Sequence, residues 1–322
     1  MVDLTKYQTP KTVAAIYEHY VARRKGTSHR MHLGASQIGN ECKRALWYQF
    51  HWYASPDFEG RILRLFETGD REEDRIVANL RAIGVKVWDR DPETGRQWNY
   101  KDHGGHFGLS LDGIGKGFPE SDQPHTLEFK TMNDKSFRDT IKKGVQQSKP
   151  IYWAQCQIGM LHAEIDRCYF IAVNKNTDEI YGERIKLKTT EAQGLAKKAG
   201  EVIFAASPPA RMTDDPSFYL CRFCTYKDVC HGETLPEMNC RTCANSQAET
   251  NGGWTCLGKL IDENTQRLGC YSHLFNPTAM PWEVHDAGKD FVHYKTASGA
   301  LVKNEKGNSA AMAAYKGAID QC

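Results

Sequence analysis

The stretch 125–140, HTLEFKTMNDKSFRDT, carries Glu128 and Lys130 inside a run that otherwise reads as a buried β-strand leading into a basic helix. Alternation along a strand turns Glu128 and Lys130 to one face and Leu127 and Phe129 to the other. Standing alone, a Glu-x-Lys pair marks the solvated face of an edge strand. This pair has a companion: sixteen residues before Glu128, GLSLDGIG places Asp112 at the end of another short strand, among glycines that permit close approach. Pairing of the two strands as a hairpin would bring Asp112 and Glu128 to one end of a sheet, where two carboxylates repel unless a cation lies between them. An all-oxygen site of that kind suits Mg2+ or Mn2+.

A third acid is expected from the preceding segment, FEGRILRLFETGDREEDRIVANLRAIG. Its apolar positions, among them Ile62, Leu65, Phe66, Ile76, Val77 and Leu80, lay one stripe along a helix that Gly84 stops. Most acids of GDREED belong to a solvated surface. Glu73 shares the inward face with Ile76, Val77 and Leu80, which singles it out.

Short segments rich in β-branched and aromatic residues follow (VKVWD, HFGLSLDGIG and HTLEFKT), each read as one strand. KPIYWAQCQIGMLHAE then reads as a helix with Pro150 in its first turn. RCYFIAVN and EIYGERIKL read as paired strands and TTEAQGLAKKAGEVIFAA as a helix. Helices before and after a central sheet define an α/β domain, expected over residues 1–231. A cysteine-rich region over 232–322 reads as a second, small metal-binding domain ending in a hairpin and a short Ala-rich helix. The 322 residues bear 42 Lys+Arg against 40 Asp+Glu, a formal charge of +2. A nucleic acid would therefore meet a local basic surface and not the field of the whole chain. With no apolar run long enough to span a bilayer, the chain reads as soluble and cytoplasmic, and its eleven cysteines point to metal before disulfides.

An acid in the helix after FETG, LDG with Asp112, EFK with Glu128 and Lys130, and the glutamine-bearing YWAQCQIGM, in that order over roughly residues 34–175, resemble the PD-(D/E)XK nuclease superfamily. The resemblance is to its RecB-type branch and to phage-type recombination exonucleases similar to lambda exonuclease. One departure is visible: Gly159 stands where RecB-type members often carry a tyrosine, four residues after Gln155. The resemblance implies a restriction-endonuclease-like mixed sheet flanked by helices. It implies that Asp112, Glu128 and the main-chain carbonyl of Phe129 hold one or two Mg2+ or Mn2+ ions, with Glu73 completing the site. Lys130 would orient the attacking water, Gln155 would bond near the nucleophile or a phosphate, and hydrolysis would leave a 5′-phosphate.

CRFCTYKDVC gives Cys221, Cys224 and Cys230, one ligand short of a four-thiolate site, and Cys42 is the natural fourth. Four thiolates suit zinc. In one branch of RecB-type nucleases, however, one cysteine before the core and three after it hold a [4Fe–4S] cluster, and ASQIGNECKRALWYQF resembles the first part of that pattern; the resemblance thus implies a structural cluster that staples the N-terminal helices to the far end of the domain. Downstream, Cys240, Cys243, Cys256 and Cys270 follow C-x2-C-x12-C-x13-C, suited to a zinc ribbon or loop site with His273 as the substitute fourth ligand. Cys156, Cys168 and Cys322 read as free or buried thiols.

Candidate DNA contacts are Arg23, Arg24, Lys25 and Arg30 in ARRKGTSHR, Lys43 and Arg44 beside Cys42, and Lys135, Arg138, Lys142 and Lys143 after the charged strand; solvated helix faces are the plain alternative. The aromatics of LWYQFHWY read as helix-packing core before base-stacking platforms. The leading expectation is a metal-dependent DNA exonuclease of recombination or repair that hands single strands to an annealing protein. A structure-specific endonuclease and an inert DNA-binding or assembly module are the rivals.

Overall fold

The computed structural model describes residues 9–24 and 29–307; Lys25, Cys322 and the expected Ala-rich helix lie outside them. The chain opens with helix α1 (Lys11–Arg24), strand β1 (Leu33–Gly34), α2 (Lys43–Phe50) and the long α3 (Gly60–Ala82). Strands β2 (Lys86–Trp88), β3 (Asn99–Asp102), β4 (Phe107–Ser110), β5 (Gly113–Lys116) and β6 (His125–Met132) follow. Helices α4 (Asp134–Ser148) and α5 (Pro150–Ala163) lead to β7 (Arg167–Asn174), β8 (Ile180–Lys186) and α6 (Thr189–Ile203).

The central sheet has the order β2-β5-β6-β7-β8, parallel between β6 and β7 and antiparallel elsewhere. The charged strand is therefore the middle one. Its α3-side face gives Leu127 and Phe129 to a cluster with Ile76, Val77 and Leu80, as the helical stripe predicted. The other face packs on α4 and α5, where Phe137, Trp153, Cys156 and Phe170 are buried. This is the expected mixed sheet flanked by helices. A strand covered on both sides explains the apolar run of 125–132, and it leaves Glu128 only 2% exposed.

HFGLSLDGIG departs from expectation. It is two strands, because Leu111 and Asp112 carry the chain out of one sheet and into another: β4 pairs with β1 and β3, and β5 pairs with β6. Asp112 thus precedes β5 at the changeover and does not end a single strand. Gly113↔Leu127 pairing sets it beside the start of EFK.

The remainder comprises α7 (Lys227–His231), β9 (Ser246–Ala248), β10 (Trp254–Cys256), β11 (Lys259–Ile261), α8 (Glu263–Arg267) and the meander β12 (Glu283–Gly288), β13 (Phe291–Lys295) and β14 (Leu301–Glu305), which contains the expected hairpin. These segments do not keep to themselves: Trp254 is buried with Leu33, Trp47, Phe50 and Phe107 in one core. Trp47, Tyr48, Phe50, Trp52 and Tyr53 are each 1% exposed, so LWYQFHWY is core and offers no platform to bases. Among the described residues no helix is long and apolar enough to cross a membrane.

Candidate active site and cysteine clusters

Three backbone features bring the acids together: the sheet changeover at Asp112, the central strand β6 and the inward face of α3. Asp112 Oδ2 accepts the Phe129 N–H at 2.7 Å, which ties the changeover to the charged strand. Lys130 Nζ lies against a Glu128 carboxylate oxygen and donates to the Phe129 carbonyl at 3.1 Å. Glu73 is half-buried and lines the adjoining cleft with Lys130, Thr131, Tyr152 and Lys175. The four catalytic residues expected from Glu73 to Lys130 therefore do meet.

Their electrostatics follow from burial. Burial pushes Glu73 up to about 7, with the Asp112 charge adding to the effect. It pushes Glu128 up to about 8, against the pull of Lys130 and with the push of Asp112. Asp112 is also raised by burial, offset in part by Lys130 and by the Phe129 N–H. Burial alone would lower Lys130, but Glu128 and Asp112 outweigh it and hold the ammonium charged. Three carboxyls thus share one ammonium, too little positive charge for all three to ionise together.

That imbalance is the observation by which the site fits a divalent cation. Among the described residues the buried Glu128 Oε1 meets no donor but the Lys130 ammonium. The ligand cage itself is not drawn up: among the described residues no three His, Cys, Asp or Glu side chains close on one point as an ion requires. The expected ligands are held instead by protein donors, Asp112 by the Phe129 N–H, and Glu128 and the Phe129 carbonyl by Lys130.

A pH dependence follows. An unfolded glutamate titrates near pH 4.3, whereas folded Glu128 titrates near 8, so across that window the folded state binds more protons and loses stability as pH rises. Buried His51 and His273, lowered by burial to about 3 and about 4, act in the opposite sense below about pH 6.5. Comparing Glu128→Gln with wild type cancels them. In metal-free buffer the variant should melt close to wild type at pH 5 and higher at pH 8, and Mn2+ should raise wild type more at pH 8 than at pH 5. A melting difference independent of pH would contradict this.

Gln155, half-buried on α5, lines a second cavity with Asp112, Arg30, His32, Gly34 and Ser36. Asp112 thus stands between Gln155 and the cleft of Glu73. The departure at Gly159 has a packing cause: a Cβ there would meet Leu111 Cδ2 at 2.9 Å, so α5 seats on the residue before Asp112 and a larger side chain would have to displace Leu111. Tyr152, one turn before Gln155, instead reaches the cleft, its ring centroid 5.4 Å from Lys130 Nζ. Sequence reading missed Tyr152 and Lys175. Helical spacing from Gln155 offered a signal for Tyr152. None existed for Lys175, which reaches the cleft through the parallel pairing of β6 and β7.

The basic candidates separate. Lys43 pairs with Glu201 at 2.7 Å, and Arg44 donates to the Pro209 carbonyl and to Tyr48 Oη, both at 2.9 Å. Arg23 and Arg24, on α1, lie over the rings of Tyr20 and Phe58. Lys135, Arg138, Lys142 and Lys143 share one concavity on α4.

Cys42, Cys221, Cys224 and Cys230 line a single cavity of about 540 Å3. Lys198 Nζ fixes its near wall by donating to the Ile38 and Asn40 carbonyls at 2.8 and 2.6 Å. In the second set, burial raises the Cys243 thiol, and Cys256 and Cys270 raise it further, so these three are neighbours. Cys240 Sγ points to the Thr265 and Leu268 carbonyls at 3.2 and 3.4 Å. His273, the expected substitute, is buried and bonded to Thr242 Oγ1 and the Asn239 carbonyl at 3.2 and 3.1 Å. Cys156 and Cys168 are buried, and no disulfide joins them.

No family model and no curated protein matches the chain. Among solved structures, the alkaline exonuclease LHK-Exo from Laribacter hongkongensis is 18% identical with a TM-score of 0.39, the match covering 57% of this chain and 90% of that one. The same exonuclease in complex with dAMP gives 19% and 0.38 at equal coverage. SSO0001 is 13% identical with a TM-score of 0.42, covering 70% of this chain and 97% of its own. At such scores the similarity is general, and function is read below from this chain's own side chains.

Proposed function

We propose that this chain is a divalent-metal-dependent DNA nuclease, an exonuclease that resects ends in recombination or repair and leaves 5′-phosphates. The observation that carries the reading is the convergence of Asp112, Glu128, Glu73 and Lys130 about the Phe129 peptide. Asp112, Glu128 and the Phe129 carbonyl, with Glu73, would hold Mg2+ or Mn2+, which supplies Lewis-acid stabilisation of charge on the phosphate. Lys130 contributes a fixed positive charge at the same point, one that the surrounding acids keep protonated. Glu73, poised near neutrality, can hold or release a proton at the cleft wall. Gln155 offers an amide to a phosphate oxygen on the far side of Asp112. An annealing protein would receive the single strand, in the cytoplasm of the cell or viral host.

The test is purified protein with Mg2+ or Mn2+ on end-labelled linear and on circular duplex. Faster loss of linear DNA is expected; equal loss of circles would favour the endonuclease, and no cutting of either the inert module.

A [4Fe–4S] cluster is proposed at Cys42, Cys221, Cys224 and Cys230. The four line one cavity and join a cysteine before the sheet to three after it, the arrangement that the RecB-type resemblance associates with a structural cluster. Zn2+ is proposed at Cys240, Cys243, Cys256 and Cys270. There Cys243, Cys256 and Cys270 are neighbours, and thiolates at C-x2-C spacing suit a closed zinc site. Anaerobic protein should be coloured and contain iron, sulfide and zinc; colourless protein with zinc alone would reject the cluster.

A further inference from the structure

The concavity on α4 begins at Asn133, two residues beyond Thr131 in the wall of the candidate active cleft. Along the exposed face of α4, Lys135, Arg138, Asp139 and Lys142 recur at helical spacing. Not all of this charge is available. Arg138 pairs with Asp134 and Glu179, and Lys143 with Asp139 at 2.7 Å. Among the described residues Lys135, Lys142 and Lys149 make no ion pair.

Lys149 joins them through a break in the helix. Gly144 adopts φ 74° and ψ 168°, which a residue with a side chain rarely accepts. Glu183 then caps the resumed turn, accepting the Val145 N–H at 2.8 Å. The chain turns there, and Lys149 closes the same hollow as Lys142. Lys135 and Lys142, seven residues apart on the helix, are about 10 Å apart along its axis, roughly the rise of three nucleotides at about 3.4 Å each.

We infer that this groove holds the phosphodiester backbone of a nucleic-acid strand over about three nucleotides beside the scissile bond. The inference rests on the proposed nuclease reading for which strand is held, while the binding itself does not need hydrolysis. Lysine point charges grip phosphates without reading bases, so the groove positions a strand and selects no sequence.

The experiment measures binding of fluorescent single-stranded and duplex oligonucleotides to the full chain without divalent metal, over a series of salt concentrations. The double variant Lys142→Gln/Lys149→Gln is compared with wild type and with Lys259→Gln, an exposed lysine in the C-terminal region that serves as a charge control. The double variant should bind about tenfold more weakly, and its slope of log affinity against log salt should fall by one to two. The control should match wild type. Equal losses in the double variant and the control would overturn the inference, as would displacement of DNA by polyglutamate at equal phosphate and carboxylate concentration, or absence of nucleic-acid binding by wild type. Groove-dependent binding without cutting under Mg2+ or Mn2+ would retire the nuclease reading and leave the groove standing; cutting with an unchanged salt slope would do the reverse.

Discussion

Asp112→Asn is expected to lower kcat/KM on linear duplex by about a thousandfold, while affinity for DNA measured without metal stays within a few-fold of wild type. The size follows from what the carboxylate does: preorganised charge at a reacting phosphate contributes on the order of 10^2- to 10^3-fold per group, and a lost ligand adds to that. The substitution is chosen to spare the fold. Asn keeps an oxygen that can accept the Phe129 N–H now bound to Asp112 at 2.7 Å, so the sheet changeover remains tied to β6. Lys130→Met keeps an unbranched aliphatic side chain and removes the ammonium that stands over Tyr152; a comparable loss is expected. The two together should cost little more than one, because residues that act as a unit are not additive. End-labelled substrate resolved on denaturing gels gives the rates. Cutting by either variant at the wild-type rate would mean that the acids around Phe129 are structural and that the inert binding module is the better account.

The second large effect is on stability. Arg241 is 2% exposed, with its guanidinium 3.8 Å from the Trp52 ring centroid and 4.6 Å from that of Trp254. Its donors reach Gln266 Oε1 at 2.9 and 3.1 Å, the Phe50 carbonyl at 3.0 Å and the Met31 carbonyl at 3.1 Å. Among the described residues no carboxylate pairs with it directly and Glu263 acts only at longer range, so the charge is supported mainly by aromatic faces and carbonyl dipoles. Arg241→Ala would leave those acceptors buried without donors, at about 1–3 kcal/mol each, and a cavity between two indoles. Removing the cation also relieves a desolvation cost. The net expectation is a loss of about 3–5 kcal/mol, or a drop of roughly 6 °C in melting temperature for a chain of this size. Arg241→Lys should recover less than half, since an ammonium cannot make the planar fork or stack between the rings. Calorimetry checks both. A change of under 2 °C in the alanine variant would show that the C-terminal region docks without it.

Much of the candidate site was legible because its signals are local. A Glu-x-Lys inside an apolar strand, an aspartate between glycines and an acid on the inward stripe of a helix each violate the binary pattern of their own element, and Glu128, Asp112 and Glu73 were found in that way. Pro150 and Gly84 marked a helix start and a helix end from their own backbone preferences. The failures were non-local. HFGLSLDGIG has the composition of one strand, and only competition between two sheets for its halves divides it at Asp112. Arg241 reads as one more basic residue among cysteines; its burial depends on Trp52, almost two hundred residues away. The partners of Lys43 and Arg44, Glu201 and the Pro209 carbonyl, are likewise distant in sequence.

The α/β order of elements, the candidate acids and lysine, and the spacing within each cysteine run are legible in the sequence, since each depends on periodicity, residue chemistry or spacing within a short window. The tertiary structure alone shows that EFK lies on the central strand, that Asp112 binds the Phe129 amide, that Cys42 shares a cavity with Cys221, Cys224 and Cys230, and which lysines make no ion pair among the described residues. Those outcomes depend on which distant segments come to lie within a few ångströms, and hydrogen bonds and ion pairs act only at that range.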